Sequence, residues 1–171
     1  MRLVVDASIA RAAGETQHPT SKLCRETLDI VLTKKYVLVL SRAIADEWKT
    51  HRSVYATTWL STMIAKRRIV RVEGEPLQTF RNTLATIELG DADMRAMMKD
   101  VHLIEAALSF DRRIFSLDEA ARLLFIGASA GVGELRQLIW ANLTRDDDRA
   151  IVWLVDGAPF EKQRCIGFDK S

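Results

Sequence analysis

Two short apolar runs, each followed by an acidic residue, constrain the fold of this chain more than any other feature. The first lies at the chain start, where residues 3–5 lead directly to Asp6. The second covers residues 114–117 and ends at Asp118. Runs of this length are typical of strands inside a parallel sheet. Open α/β sheets place ligand sites at the carboxyl ends of such strands, so both carboxylates mark a candidate site.

Strand and helix signals alternate along most of the chain. Strands are predicted within residues 2–8 and at 36–40, 69–72, 114–117 and 138–141, with helical patterns between them. This alternation predicts the α/β class, with a central, mostly parallel sheet flanked by helices. The length of 171 residues fits one domain.

The composition indicates the cellular environment of the protein but does not identify a binding partner. The formal net charge is only +2, and 48% of the residues are hydrophobic, which is enough for a sizeable core. Cys24 and Cys165 lack motif spacing and fit a reduced, cytoplasmic protein. The chain start resembles a core strand and not a signal peptide, and no apolar run approaches the length of a membrane span. We therefore expect a cytoplasmic protein without membrane association.

Four acidic residues occupy similar places in this predicted topology. Asp6 and Asp118 follow strands, Glu47 lies in the helix after the second strand, and Asp100 is expected in the first turn of a helix that follows a connector at 91–98. Carboxylates that meet at one sheet edge repel, and they need a cation or a shared proton. All-oxygen clusters are preferred by Mg²⁺ and Mn²⁺.

Each of these acids also has an ordinary structural interpretation. Asp6 can be a turn residue, Glu47 a solvated helix acid, Asp100 a partner of the helix dipole and Asp118 a helix cap. Their shared position at one predicted edge favours a common site.

Helix geometry separates other polar residues from Asp100. At 3.6 residues per turn, His102 points roughly 160° away from Asp100 and Glu105 roughly 140° away. Asp111 lies about 16 Å further along the helix axis. We interpret His102 as structural or surface-exposed and Asp111 as a turn residue.

The sequence lacks the signature motifs of several other enzyme classes. No G-x-G-x-x-G follows the first strand, and the glycine-containing segment at 127–133 lacks the Lys-Ser/Thr pair of a P-loop. A phosphoaspartyl enzyme of the haloacid-dehalogenase type needs a second Asp where Ser8 stands. No arrangement of His with Ser or Cys suggests a nucleophile.

Basic residues concentrate in the middle of the chain and suit a phosphate backbone, although a solvated face is the alternative. Among them, Trp48 and Tyr55 are candidates for base stacking or for the core, and Trp59 is assigned to the core. The candidate nucleic-acid-binding residues are Lys49, Arg52, Arg67 and Arg68.

Five ordered motifs resemble those of the PIN domain family, small metal-dependent ribonucleases that include VapC-type toxins. They are VVDAS (4–8), SRAIADEW (41–48), KDVHLIEAAL (99–108), IFSLDE (114–119) and LIWAN (138–142). The resemblance implies a PIN-like nuclease domain at 1–142, with a C-terminal helical extension at 143–171 packed on it. It also implies catalytic carboxylates at Asp6, Glu47, Asp100 and Asp118, metal ligands at Asp6, Asp100 and Asp118, and supporting hydroxyls at Ser8 and Ser116.

The function implied by this resemblance is hydrolysis of RNA phosphodiester bonds with Mg²⁺ or Mn²⁺. The implied partners are RNA, an antitoxin protein if the chain is a toxin, and a second copy in a homodimer. The alternative from another class is a PIN-like module that binds RNA or protein without catalysis.

Overall fold

Five parallel strands form the centre of the fold. The structure, a computed structural model, describes residues 1–74 and 77–168. Within these residues the strands are β1 (Arg2–Val5), β2 (Val37–Leu40), β3 (Ile69–Arg71), β4 (Arg113–Ser116) and β5 (Ile139–Asn142). They form one sheet in the order β3-β2-β1-β4-β5, and every pair is parallel. The predicted α/β class with a parallel sheet is confirmed.

Helices connect the strands and cover the sheet. Several helices begin with a side chain that accepts a hydrogen bond from a backbone N–H group. Ser41 and Ser53 are two such caps. No helix in the described part of the chain is long and apolar enough to cross a membrane. The α-helices are α1 (Ala7–Ala12), α2 (Pro19–Thr33), α3 (Arg42–His51), α4 (Val54–Ala65), α5 (Gln78–Ala85), α6 (Asp91–Leu108), α7 (Glu119–Ala128) and α8 (Ala150–Val155).

The strand order reverses between β1 and β4. From β1 the chain moves through β2 to β3 on one side, and then returns to β4 on the other side of β1. Val5 pairs with Phe115, and the Asp6 backbone N–H donates to the Phe115 carbonyl oxygen at 2.9 Å. This is the topological switch point of the sheet, where open α/β proteins bind ligands.

Helix α6 begins earlier than the sequence pattern predicted. Residues 91–98 were expected to be a partly helical connector, but the helix starts at Asp91, directly after Gly90. Asp91 and Asp93 occupy the first turn, where negative charge complements the helix dipole. Asp100 is therefore the tenth residue of an 18-residue helix. The prediction that it lies in the first turn is wrong, and the dipole does not explain it.

Two tryptophans attach helices to the core. Trp48 is fully buried, and its Nε1 donates to the Val5 carbonyl oxygen at 2.9 Å. Trp59 is also buried, and its Nε1 donates to the Leu28 carbonyl oxygen. The centroids of the two indole rings are 5.8 Å apart. Trp48 thus fixes α3 against the carboxyl end of β1, next to Asp6.

The C-terminal segment packs against the sheet. The Trp153 ring stacks on Phe115 at 5.6 Å, and the Tyr36 hydroxyl donates to the Leu154 carbonyl oxygen at 2.8 Å. Arg113 of β4 donates to the Ala158 carbonyl oxygen. These contacts connect the predicted extension at 143–171, over its described part, to the same core.

Candidate functional site

Asp6 is the most constrained carboxylate at the switch point. Only 8% of the residue is exposed. Two hydroxyls, from Ser8 and from Ser116, donate to its Oδ2, the second at 2.6 Å. The same hydroxyls accept from the backbone N–H groups of Leu117 and Asp118. Oδ2 is therefore held in place by donors from both neighbouring segments, and Oδ1 takes no part in these contacts.

Asp118 follows β4 and begins α7. Its Oδ1 accepts from the Ala121 backbone N–H at 2.8 Å, which is the capping role considered as the ordinary interpretation. Capping uses one carboxylate oxygen and fixes the orientation of the group. Asp118 also lines a cavity with Asp6, so capping leaves the carboxylate at the cavity wall.

This cavity contains all four predicted carboxylates. It measures about 270 Å³ and is lined by Asp6, Glu47, Asp100 and Asp118, together with Ser8 and three basic residues. The pKa of Asp100 is raised to about 6, chiefly by burial; the charges of Asp118 and Asp6 act in the same direction, and Lys99 and His102 act in the opposite one. Asp100 is therefore a partly desolvated carboxylate with two further carboxylates near it.

His102 contacts a carboxylate of this cavity without lining the cavity itself. Its side chain is buried, and Nε2 lies 3.2 Å from Glu47 Oε2. Nδ1 lies 3.0 Å from the Lys99 carbonyl oxygen. This burial agrees with the structural role expected for His102. The contact with Glu47 was not predicted, because Glu47 reaches His102 from α3.

Three basic residues, Arg11, His51 and Lys99, line the carboxylate cavity. Arg11 lies in the last turn of α1, the helix that begins directly after Asp6. His51 is the last residue of α3, one turn beyond Glu47. Arg11 and Lys99 thus bring positive charge next to the acids of the cavity. Proximity in sequence to Asp6 and Asp100 was the signal that could have identified Arg11 and Lys99.

The four predicted nucleic-acid-binding residues do not line this cavity. Lys49 is exposed elsewhere on α3, and Arg52 donates to the Thr57 hydroxyl. Arg67 and Arg68 precede β3, and so lie at the amino edge of the sheet, opposite the carboxylates. Arg68 also donates to the Leu32 carbonyl oxygen at 2.7 Å. The basic residues that are close in sequence are thus distributed over both edges of the sheet and do not form one surface.

Neither candidate for base stacking is placed for that role. Trp48 is fully buried, so of the two roles considered for it the structure supports the core. Tyr55 is half-buried, and its hydroxyl donates to Asp29 on α2, away from the cleft. Burial raises the pKa of Tyr55 to about 12, and its hydrogen bond to Asp29 adds to the shift. Both residues join helices together.

Glu119, next to Asp118, has a different environment. Hydrogen bonds from Arg122, and then from Asn142 and Arg145, lower its pKa to about 2. The carboxylate is therefore neutralised by its own partners and connects α7 to the end of β5. Of these two adjacent acids, only Asp118 lines the cavity.

The donor set suits a divalent cation in its chemistry but is not gathered around one point. Within residues 1–74 and 77–168, no group of three or more His, Cys, Asp or Glu side chains is close enough to hold a metal ion. The cavity nevertheless combines three aspartates, one directly after β1, one in α6 and one at the start of α7, and oxygen donors of this kind suit Mg²⁺ and Mn²⁺. The charges of Asp118 and Asp6 contribute to the raised pKa of Asp100, although burial is the main cause.

No protein-family model and no curated protein sequence matches this chain. The function of the cleft must therefore be inferred from its own geometry and charge.

Proposed function

We propose that this protein is a metal-dependent ribonuclease of the PIN type that hydrolyses phosphodiester bonds with Mg²⁺ or Mn²⁺. The observation that carries the proposal is the meeting of Asp6, Glu47, Asp100 and Asp118 in one cavity at the switch point of a parallel sheet. Basic side chains at the same cavity supply the charge that attracts a phosphate.

The metal would be held by Asp6, Asp100 and Asp118. When bound, a divalent cation lowers the pKa of water and neutralises charge on a phosphoryl group. The neighbouring carboxylates supply only oxygen donors, and the hydroxyls of Ser8 and Ser116 keep Asp6 in one orientation. Asp6 is thus fixed, and the three aspartates must come closer together to share one ion.

The remaining residues position the substrate and the attacking water. His102 holds Glu47 in place, so that Glu47 can accept a proton or orient a water molecule at the cavity. Arg11, His51 and Lys99 bind phosphate oxygens at the rim. No covalent intermediate is required, because water is the nucleophile.

Cleavage of labelled RNA tests this proposal. A mixed set of RNAs is incubated with Mg²⁺, Mn²⁺ or EDTA, and wild type is compared with Asp6→Asn. Asp156→Asn is the matched control, since Asp156 is exposed at the end of α8. We expect cleavage that requires the metal, falls by about 100-fold or more in Asp6→Asn and is unchanged in Asp156→Asn. Equal cleavage by wild type and Asp6→Asn would refute the proposed site.

A non-catalytic module that binds RNA or protein is the second candidate. The non-catalytic candidate is favoured because, in the described residues, no three His, Cys, Asp or Glu side chains are close enough to hold one metal ion. Such a module would retain RNA binding in Asp6→Asn and show no metal-dependent product with wild type. The cleavage assay and a parallel binding assay therefore separate the two functions.

The narrower proposal is a cytoplasmic toxin, neutralised by an antitoxin and acting as a homodimer. It is supported by the resemblance of the motifs, and the two buried, free cysteines are compatible with a reducing compartment. Expression in a bacterial host is the test. Growth arrest by wild type but not by Asp6→Asn is expected, whereas normal growth with both would contradict the toxin role.

A further inference from the structure

A second cavity lies beside the carboxylate cavity at the same edge of the sheet. It measures about 510 Å³. Ser41, directly after β2, and Val72, directly after β3, contribute to its wall. Helices α3 and α6 line both cavities. His102 lines the second cavity while it contacts Glu47 of the first, so the two cavities meet at this pair.

The two cavities differ in volume and therefore suit different ligands. The carboxylate cavity, at about 270 Å³, has room for ions, water and a phosphate group but lies below the range typical of sites that enclose an organic ligand. The second cavity falls within that range. A nucleic acid cut at the carboxylates must place its neighbouring nucleotides outside the smaller cavity, and the larger one is adjacent.

A fixed arginine gives the second cavity its chemical character. Arg81 donates from Nε and Nη2 to the two oxygens of Glu105, both at 2.7 Å, and only 8% of Glu105 is exposed. A guanidinium carries five N–H donors, and this pair occupies two of them. The guanidinium plane is thus held rigid by a buried carboxylate, with donors left over at a wall of the cavity.

The rest of the lining suits a base. Val72 and Leu77 provide apolar surface, and the charged lining residues are Arg42, Asp46 and Glu73 beside the Arg81–Glu105 pair. Unstacked bases bind by stacking on planar guanidinium groups and by hydrogen bonds along their edges.

We propose that this second cavity binds the nucleotide next to the phosphodiester bond that is cleaved, and that it selects the base at that position. The inference rests on the proposed nuclease function. Arg81, held by Glu105, reads the base, and the His102–Glu47 pair aligns the bound nucleotide with the carboxylates. Sequence preference therefore resides in α3, α5 and α6, outside the carboxylate cluster.

A bulky substitution at the rim tests the proposal. Ala43 is exposed and lines the cavity, so Ala43→Trp fills part of it without disturbing the core. Ala130→Trp is the matched control, because Ala130 is exposed beyond the end of α7, at the opposite edge of the sheet. The substrates are single-stranded RNAs that differ only in the bases flanking the cleaved bond, and kcat/KM is measured for each.

We expect Ala43→Trp to lower kcat/KM for the preferred RNA by about tenfold or more and to reduce the preference among flanking bases, with Ala130→Trp unchanged. RNA containing 4-thiouridine should crosslink to cavity residues in the inactive Asp118→Asn protein. Unchanged base preference in Ala43→Trp, or crosslinks only outside the cavity, would overturn the cavity assignment while the nuclease function stands.

Nucleotide binding separates this inference from the nuclease function. The four nucleoside 5′-monophosphates are titrated into wild type and both Trp variants, with amide chemical shifts as the readout. Binding that Ala43→Trp abolishes and Ala130→Trp retains supports the cavity even if wild type cuts no RNA. Absence of any monophosphate binding at the cavity, in a protein that cuts no RNA, overturns it.

Discussion

The Ser116 hydroxyl donates a hydrogen bond to Asp6 Oδ2 at 2.6 Å, across the boundary between β4 and β1. Ser116 is fully buried and Asp6 nearly so. The bond therefore joins the two strands at the point where the sheet order reverses, and it orients the carboxylate on which the proposed site depends. A buried carboxylate that loses such a donor retains its desolvation cost without the compensating contact.

Ser116→Ala should lower the free energy of unfolding by about 1–3 kcal/mol, because Asp6 loses a buried donor. Urea denaturation at pH 7 measures the change. Ser61→Ala is the matched control, since Ser61 is exposed on α4 and bonds only within its own helix. A loss no greater in Ser116→Ala than in Ser61→Ala would contradict the importance of this contact.

Asp100 should make the metal-free protein less stable as pH rises. Its pKa is about 6 in the folded protein, mainly through burial, and 3.8 is its ordinary value. The folded state thus holds the proton more tightly than the unfolded state, and the stability present below pH 4 is lost as pH rises through 6. Asp100→Asn removes this loss, and should be more stable than wild type by about 1–2 kcal/mol at pH 7.5.

Urea denaturation of wild type and Asp100→Asn between pH 4 and 8 tests this dependence. The difference between the two proteins should grow over pH 4 to 6 and then level off. Adding Mn²⁺ at pH 7.5 should stabilise wild type more than Asp100→Asn, since binding to the folded state raises stability. A difference that stays constant with pH would contradict the buried, repelled carboxylate.

Glu119 should have the opposite pH dependence. Its pKa of about 2 lies below the ordinary 4.5, chiefly through the hydrogen bond from Arg122. Its stabilisation is present above pH 4.5 and is lost as pH falls towards 2. Because the group is partly exposed, Glu119→Gln should cost only about 1 kcal/mol at pH 7. The cost measured by urea denaturation should shrink at pH 3, and a cost that grows there would contradict the assignment.

The basic residues at the cleft should dominate RNA affinity. Arg11→Ala and Lys99→Ala should each weaken binding and reduce the slope of log affinity against log salt by about 0.7, the value for one phosphate contact with a single strand. Arg67→Ala is the control, because Arg67 lies at the opposite edge of the sheet. Fluorescence anisotropy with the inactive Asp6→Asn protein provides the measurement. A larger effect from Arg67→Ala would place the RNA on another surface.

Trp48→Phe should lower activity because Glu47 changes position, and not because a base-stacking contact is lost. The variant loses the donor to the Val5 carbonyl oxygen and leaves unfilled volume beside α3. We expect a loss of about 1–3 kcal/mol in stability, and lower kcat with nearly unchanged RNA affinity, because Glu47 on α3 shifts. A selective loss of RNA affinity would instead indicate that Trp48 contacts the nucleic acid.

Strand positions and the acidic residues that follow them were predictable from the sequence, because apolar runs and their ends are local signals. The alternation of these runs with helices also led to the correct sheet class. Asp6 and Asp118 therefore come together as expected, and Glu47 and Asp100 line the same cavity. Ser8 and Ser116 contact Asp6, although only a family resemblance had suggested them.

Features that depend on contacts between distant elements were not predictable in the same way. The contact between His102 and Glu47 was not predictable from the angle between His102 and Asp100, because that angle describes one helix and omits Glu47 on another. Arg67 and Arg68 lie close in sequence to α3, yet the parallel sheet carries them to its other edge. The start of α6 was missed because acidic residues after Gly90 are equally typical of a connector.

Two adjacent carboxylates allow the most direct test of the central claim. Asp118 lines the cavity, whereas its neighbour Glu119 is neutralised by arginines. Single-turnover cleavage of labelled RNA is measured with Mn²⁺ for wild type, Asp118→Asn and Glu119→Gln. We predict that Asp118→Asn loses cleavage by about 100-fold or more while Glu119→Gln stays close to wild type. Equal rates for Asp118→Asn and wild type, or no metal-dependent cleavage by wild type, would contradict it.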